Sequence, residues 1–126
     1  MPDSTQDDNV VIRMFAWWNE SYSKDGFTPD GFAQFFTDDA PFVVNGGVRG
    51  EGPKAICAHF QRIKATTETV KLVTPVKAVL ANETLAFVRY DTTARVDGKD
   101  WAERCMAVAR LRDGRISAFE VIGADD

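Results

Sequence analysis

Residues 35–60, FFTDDAPFVVNGGVRGEGPKAICAHF, decide how the chain folds. An acidic turn leads into one short apolar strand at residues 41–45. A glycine-rich loop (Gly46, Gly47, Gly50, Gly52) then runs into a helix opened by Pro53, whose missing N–H costs nothing at a first helical position. That helix carries Ile56, Phe60 and Ile63 on one face. Upstream, Val11, Phe15, Trp18 and Tyr22 fall at helical spacing and make an apolar stripe, which Val10, Met14 and Trp17 widen. This first helix is expected to start after Asp8 as its cap and to end at Lys24, Asp25 and Gly26. Thr28-Pro29 caps and opens a short second helix that carries Phe32, Phe35 and Phe36 inward. Residues 1–8, polar and acidic, read as a disordered lead-in, which leaves residues 9–126 as a single domain.

Downstream of Thr69 the period changes to two. Val70, Leu72, Thr74, Val76, Ala78 and Leu80 alternate with Lys71, Val73, Pro75, Lys77 and Val79. Turns at Asn82-Glu83, Asp97-Gly98 and Asp113-Gly114 divide the rest into strands, since both residues of an Asp-Gly turn tolerate positive φ. Four long antiparallel strands are expected, at residues 69–81, 84–96, 99–112 and 115–122. The fold class is α+β, with three N-terminal helices packed on a curved, mainly antiparallel sheet that encloses a pocket.

Composition narrows the function classes. The 126 residues are 44% hydrophobic and 27% charged, which suits one globular domain with its own core. A net charge of −4 argues against nucleic acid, which needs a basic face. No apolar run approaches the roughly 20 residues that cross a bilayer. Cys57 and Cys105 are far apart and read as two buried thiols in a reducing cytoplasm. His59, the only histidine, has no companion at metal-ligand spacing, so no metal is expected. The glycine loop lacks the Lys-Ser/Thr or GxGxxG setting of a phosphate cradle and reads as a connector.

The stretches FFTDDAPFVVNGG, VRGEGPKAICAHF and ARLRDGRISAFEVIG, in this order of elements, resemble the cystatin-like cone of the nuclear transport factor 2-like superfamily. Its members include SnoaL-like polyketide cyclases, ketosteroid isomerases and limonene epoxide hydrolases. The resemblance runs from about Asn9 to Gly123. It implies a homodimer through the exposed sheet face and a pocket for a small apolar molecule. The general-base Asp of the ketosteroid isomerases falls on Val44, with Asn45 beside it. Their oxyanion Tyr falls on Met14, and their protonated Asp on Ala107 or Val108. Those groups cannot run that chemistry, which needs an acid and a base around one oxygen. The epoxide hydrolases' Arg-x-Asp is matched by Arg89-Tyr90-Asp91 on the second long strand, and their last acid by Glu120. In such a set one carboxylate deprotonates water, another protonates the leaving oxygen, and the Arg holds them in opposite states.

Strand alternation selects a different set. Pairing about Asp97-Gly98 puts Tyr90 and Thr92 on one face with Glu103 and Cys105, and Arg89 and Asp91 on the other. Pairing about Asp113-Gly114 adds Ile116, Ala118, Glu120 and Ile122 to the first face, unless a bulge intervenes. Glu120 is thus the expected main proton-transfer group, assisted by Asp91 with Arg89 or by Tyr90 with Glu103. Met14, Trp18, Phe42, Val44 and His59 are expected on the ligand wall. Two functions remain open. One is a cofactor-free SnoaL-like enzyme of isomerase, cyclase or epoxide-hydrolase type, using acid-base catalysis. The other is a non-catalytic ligand-binding or dimerisation module of the same fold.

Overall fold

Asn9, rather than Asp8, caps the first helix of the computed structural model. Its Oδ1 accepts from Val11 N at 2.9 Å and Ile12 N at 3.1 Å, satisfying two donors that a helix start leaves open. The structure describes residues 9–125, so the expected lead-in and Asp8 lie outside the described residues. Helix α1 (Val10–Ser23) buries Val11, Phe15, Trp18 and Tyr22 as the stripe requires, with Met14 beside them. Thr28 Oγ1 accepts from Gly31 N at 3.0 Å, and Pro29 opens α2 (Pro29–Ala33). Phe36 lies beyond that helix, yet it is fully buried and bridges to Ile116 of the sheet.

The glycine-rich segment is not a connector. It pairs as strand β2 (Gly47–Glu51) with β1 (Pro41–Val44). Asn45 and Gly46 turn the chain with φ of 49° and 83°. Asp97-Gly98 (52°, 76°) and Asp113-Gly114 (52°, 79°) turn it the same way. Asn-Gly is as strong a hairpin signal as Asp-Gly, and it stood in the sequence. Helix α3 (Pro53–Thr66) follows and buries Ile56 and Cys57.

The expected strand at residues 69–81 is two strands, β3 (Thr69–Leu72) and β4 (Ala78–Ala81), both paired with β5 (Leu85–Val96). Val73 N and Lys77 N still donate to Asp91 O and Arg89 O, both at 2.8 Å. Thr74, Pro75 and Val76 are therefore looped out, at the point where proline has no N–H to give the ladder. Three extra residues are an odd number, so the side-chain phase inverts. Val79 and Ala81 face the core side opposite Val88 and Ala86, while Leu80 turns outward and is 69% exposed.

A second inversion lies between β6 (Lys99–Arg112) and β7 (Arg115–Asp125), where the register shifts at Arg110/Leu111. Arg110 stands opposite Ala118 and Leu111 opposite Ile116, which leaves Ser117 as the bulged residue. A third shift separates Phe42↔Gly50 from Val43↔Val48 and leaves Arg49 unpaired in β2. The sheet order is β2-β1-β7-β6-β5-β3, with β4 also on β5. β1 runs parallel to β7, and the other pairs are antiparallel. The helices cover one face of this unclosed sheet over a phenylalanine-rich core of Phe15, Phe32, Phe36 and Phe119. Phe15 is 1% exposed, and its ring lies 4.7 Å from that of Tyr90. Phe15→Ala should therefore cost about 3–5 kcal/mol of stability in urea unfolding; a loss under about 1 kcal/mol would mean that this contact does not anchor α1 to the sheet.

Candidate active site

Alternation along β5 and β6 aims Tyr90, Thr92, Glu103 and Cys105 to one side of the sheet, with Tyr90 opposite Cys105 and Thr92 opposite Glu103. The Ser117 bulge brings Phe119, Val121 and Gly123 of β7 to the same side. Facing them are Met14, Phe15 and Trp18 from α1 and His59, Phe60 and Ile63 from α3. Phe42 and Val44 of β1 close the wall. Together they enclose a cavity of about 380 Å³, within the usual range for a small-molecule site. The ends of β1 and β7, the start of β6 and the end of α3 gather at one end of it, where Trp101 is 44% exposed.

Each expected site residue has a definite place. Met14, Trp18, Phe42, Val44 and His59 all line the cavity, as do Tyr90 and Glu103. Glu120 does not. It lies on the outer face of β7, exposed, opposite Val108 of β6. The bulge at Ser117 is the cause, because it inverts the alternation on which Glu120 was placed inward. Arg89 and Asp91 are also on the outer face, where Arg89 Nη1 donates to Asp91 Oδ1 at 2.8 Å. Lys77 Nζ lies 3.5 Å from Asp91 Oδ2, and Arg104 stands opposite Asp91 in the ladder. That Arg hydrogen bond is the main reason the Asp91 carboxyl is held below its usual range. The Arg89-x-Asp91 pair with Glu120 is therefore a surface arrangement, not a cavity constellation. β5 keeps its phase through Arg89–Asp91, so nothing turns the pair inward.

Within the cavity the polar groups are few and clustered. Cys105 Sγ donates to Glu103 Oε1 at 3.5 Å and lies 3.6 Å from Thr92 Oγ1. Burial pushes the Cys105 thiol up to about 11, so it stays protonated and orients the carboxylate rather than acting as a nucleophile. Burial also pushes the Tyr90 phenol well above its usual value, with Cys105 and Glu103 adding to it. Tyr90 thus stays protonated and can donate a hydrogen bond. Glu103 owes its place to Gly123: a Cβ there would stand 2.6 Å from the Glu103 Cδ and 2.8 Å from its Oε1. His59 is held below its usual value by burial first, then by the charges of Arg62 and Arg49, and is neutral at pH 7. Its ring lies 5.9 Å from Phe42. Among the described residues no group of three or more His, Cys, Asp or Glu could hold a metal, and no helix is long and apolar enough to cross a membrane.

Arg49 and Gly123 escaped the sequence reading, as did Phe119 and Val121, which the Ser117 bulge turns inward. Arg49 was hidden because its segment reads as a loop, although Asn45-Gly46 marks a hairpin there. Gly123 was hidden because a glycine that makes room for a side chain on the next strand leaves no local signal.

A family model for the SnoaL-like domain matches residues 11–119. No curated protein sequence matches the chain. Among solved structures, a nuclear transport factor 2-like protein from Anabaena variabilis superposes with a TM-score of 0.75 at 16% identity, over 93% of this chain and 88% of that one. IdmH from Streptomyces antibioticus, a candidate polyketide cyclase, superposes at 0.67 with 15% identity, over 88% and 89%. TerC, co-crystallised with polyporic acid, superposes at 0.73 with 13% identity, over 93% and 88%. At such identities these structures show the fold alone. With the family match spanning most of its length, the chain belongs to the SnoaL-like family, and its fold is that of the nuclear transport factor 2-like proteins it superposes on.

Proposed function

We propose that this chain is a small-molecule enzyme of cyclase or isomerase type, working by acid-base chemistry on an apolar, ring-bearing substrate. The observation that carries this reading is Glu103, the one carboxylate among the described cavity-lining residues, seated in an otherwise largely apolar chamber beside the Tyr90 phenol. A base in such a place takes a proton from a carbon or hydroxyl of the substrate, and a phenol that remains protonated stabilises the oxyanion that forms. Glu103 is the base and Tyr90 the donor, with Thr92 across the strand from Glu103 as a second hydroxyl. The ligand wall is Met14, Trp18, Phe42, Val44 and His59, with the parallel Phe42–Phe119 ring pair (centroids 5.3 Å, planes 8° apart) as a flat platform. The IdmH assignment and the polyporic acid held by TerC support a ring-bearing ligand in this fold. Both thiols are buried, consistent with work in a reducing cytoplasm.

A homodimer through the outer sheet face belongs to the same proposal. Leu80 (69% exposed) stands opposite Phe87 (49%), and Met106 (63%) opposite Ile122 (62%), so four large apolar side chains share one face. Such a patch, with Arg89 standing beside Met106 within it and Asp91, Arg104 and Glu120 around it, suits an isologous contact between two copies.

A nitrobenzisoxazole, whose ring opens when a base removes one proton, tests the base without knowledge of the natural substrate. Wild type should accelerate its opening, and Glu103→Gln should lower that rate by roughly 100-fold or more; an unchanged rate would remove Glu103 and favour a binding module. Gly123→Ala should reproduce much of the loss while leaving thermal stability near wild type, because the displaced neighbour is the end of a flexible side chain. Sedimentation at micromolar concentration should show a dimer that Met106→Glu converts to monomer; a wild-type monomer would end the dimer reading.

A further inference from the structure

We propose that the cavity takes its ring-bearing ligand as an organic acid, with the ionised acid group at Arg49 and the ring on the Phe42–Phe119 pair. The proposal rests on the reading of the cavity as a small-molecule site and adds the charge of what enters it.

Arg49 reaches the cavity through a β-bulge. The register passes from Phe42↔Gly50 to Val43↔Val48, so Arg49 is the extra residue that no β1 residue opposes. Such bulges re-aim a side chain that regular pairing would send elsewhere, and here the re-aimed side chain lines the cavity. Arg49 is exposed at the cavity's edge, so its guanidinium is held by little of the protein and open to a ligand. Among the described residues it hydrogen-bonds only to the Val44 carbonyl, from Nη2 at 3.5 Å. A guanidinium fork matches a carboxylate or paired phenolate and ketone oxygens in a bidentate way, which a weak contact to one carbonyl leaves available.

The surroundings favour an anion there. Glu103, the lining carboxylate, makes no ion pair with Arg49 among the described residues, and Arg49 and His59 come from β2 and α3. His59 bridges the two parts of the site, because it lines the cavity and its ring adjoins Phe42. The charged groups acting on it are Arg62 of its own helix and Arg49 of β2. An anion seated at Arg49 would offset that positive field and make protonation of His59 easier. The chain's overall negative charge gives organic acids no general attraction, so selection for an acid would have to come from this local group.

The test uses naphthoate and its methyl ester as ring acid and neutral counterpart, with binding followed by calorimetry and no need for turnover. Naphthoate should bind at least about tenfold more tightly than the ester. Arg49→Gln should abolish that preference and leave ester binding unchanged, and Arg49→Lys should restore part of it. His59 is the only histidine, so its NMR titration reads the same event. Its pKa should rise when naphthoate binds to wild type and not when the ester binds. Equal affinity for acid and ester, loss of both in Arg49→Gln, no binding of either, or an unmoved His59 titration would each overturn the proposal. Glu103→Gln separates the two readings, since it should end proton abstraction and leave the preference for the acid in place.

Discussion

The β6 strand is the constraint on which the rest depends. It is fourteen residues long and pairs on both sides, with β5 from Lys99 to Arg110 and with β7 from Glu103 to Arg112. Every side chain on β6 therefore has its face fixed by the alternation of a paired strand. Glu103, Cys105 and Ala107 go inward as one set, and Arg104, Met106 and Val108 go outward as another. The partners then either keep phase with β6, as β5 does, or change it at a defined bulge, as β7 does at Ser117. Where each neighbour shifts decides which residues meet across the cavity.

Three departures from regular pairing do the shaping. The loop at Thr74–Val76 inverts β4 relative to β3, which sends Leu80 to the outer face and Val79 and Ala81 to the inner one. The bulge at Ser117 exchanges Glu120 for Phe119 and Val121 on the cavity wall. The bulge at Arg49 brings a cation to a wall that is otherwise mostly apolar. Bulges also bend a strand and tighten its twist, so the same defects that choose the lining curve the sheet around it. Geometry and chemistry have one origin here.

The polar groups of the cavity follow from the same arrangement. Burial raises the Tyr90 phenol and the Cys105 thiol together, which keeps both as donors beside a carboxylate acceptor. Cys105 is then a positioning group for Glu103, and Gly123 is the empty space that the carboxylate needs. The positions that carry acid groups in the ketosteroid isomerases hold Val44, Met14 and Ala107 or Val108 instead, and the acid-base pair proposed for this cavity lies in the middle of β5 and β6. The outer face keeps its own charges. Arg89, Asp91 and Lys77 satisfy one another there and have no part in the cavity.

The sequence by itself determined what short-range rules decide. The α1 stripe, the Thr28-Pro29 start of α2, Pro53 opening α3 and the Asp-Gly hairpins are local signals, and each appears where its residues stand. Five wall residues, Met14, Trp18, Phe42, Val44 and His59, were legible from helix faces and from the resemblance of the chain to its family. The β5–β6 parity was legible too, because a two-residue turn fixes register directly. Only the tertiary structure decided the faces of β4 and β7 and the presence of Arg49. A single extra residue inverts every side chain beyond it, and whether a strand takes up that residue depends on its neighbours across the sheet. Glu120 shows the consequence: its identity and its strand were readable, and its side was not.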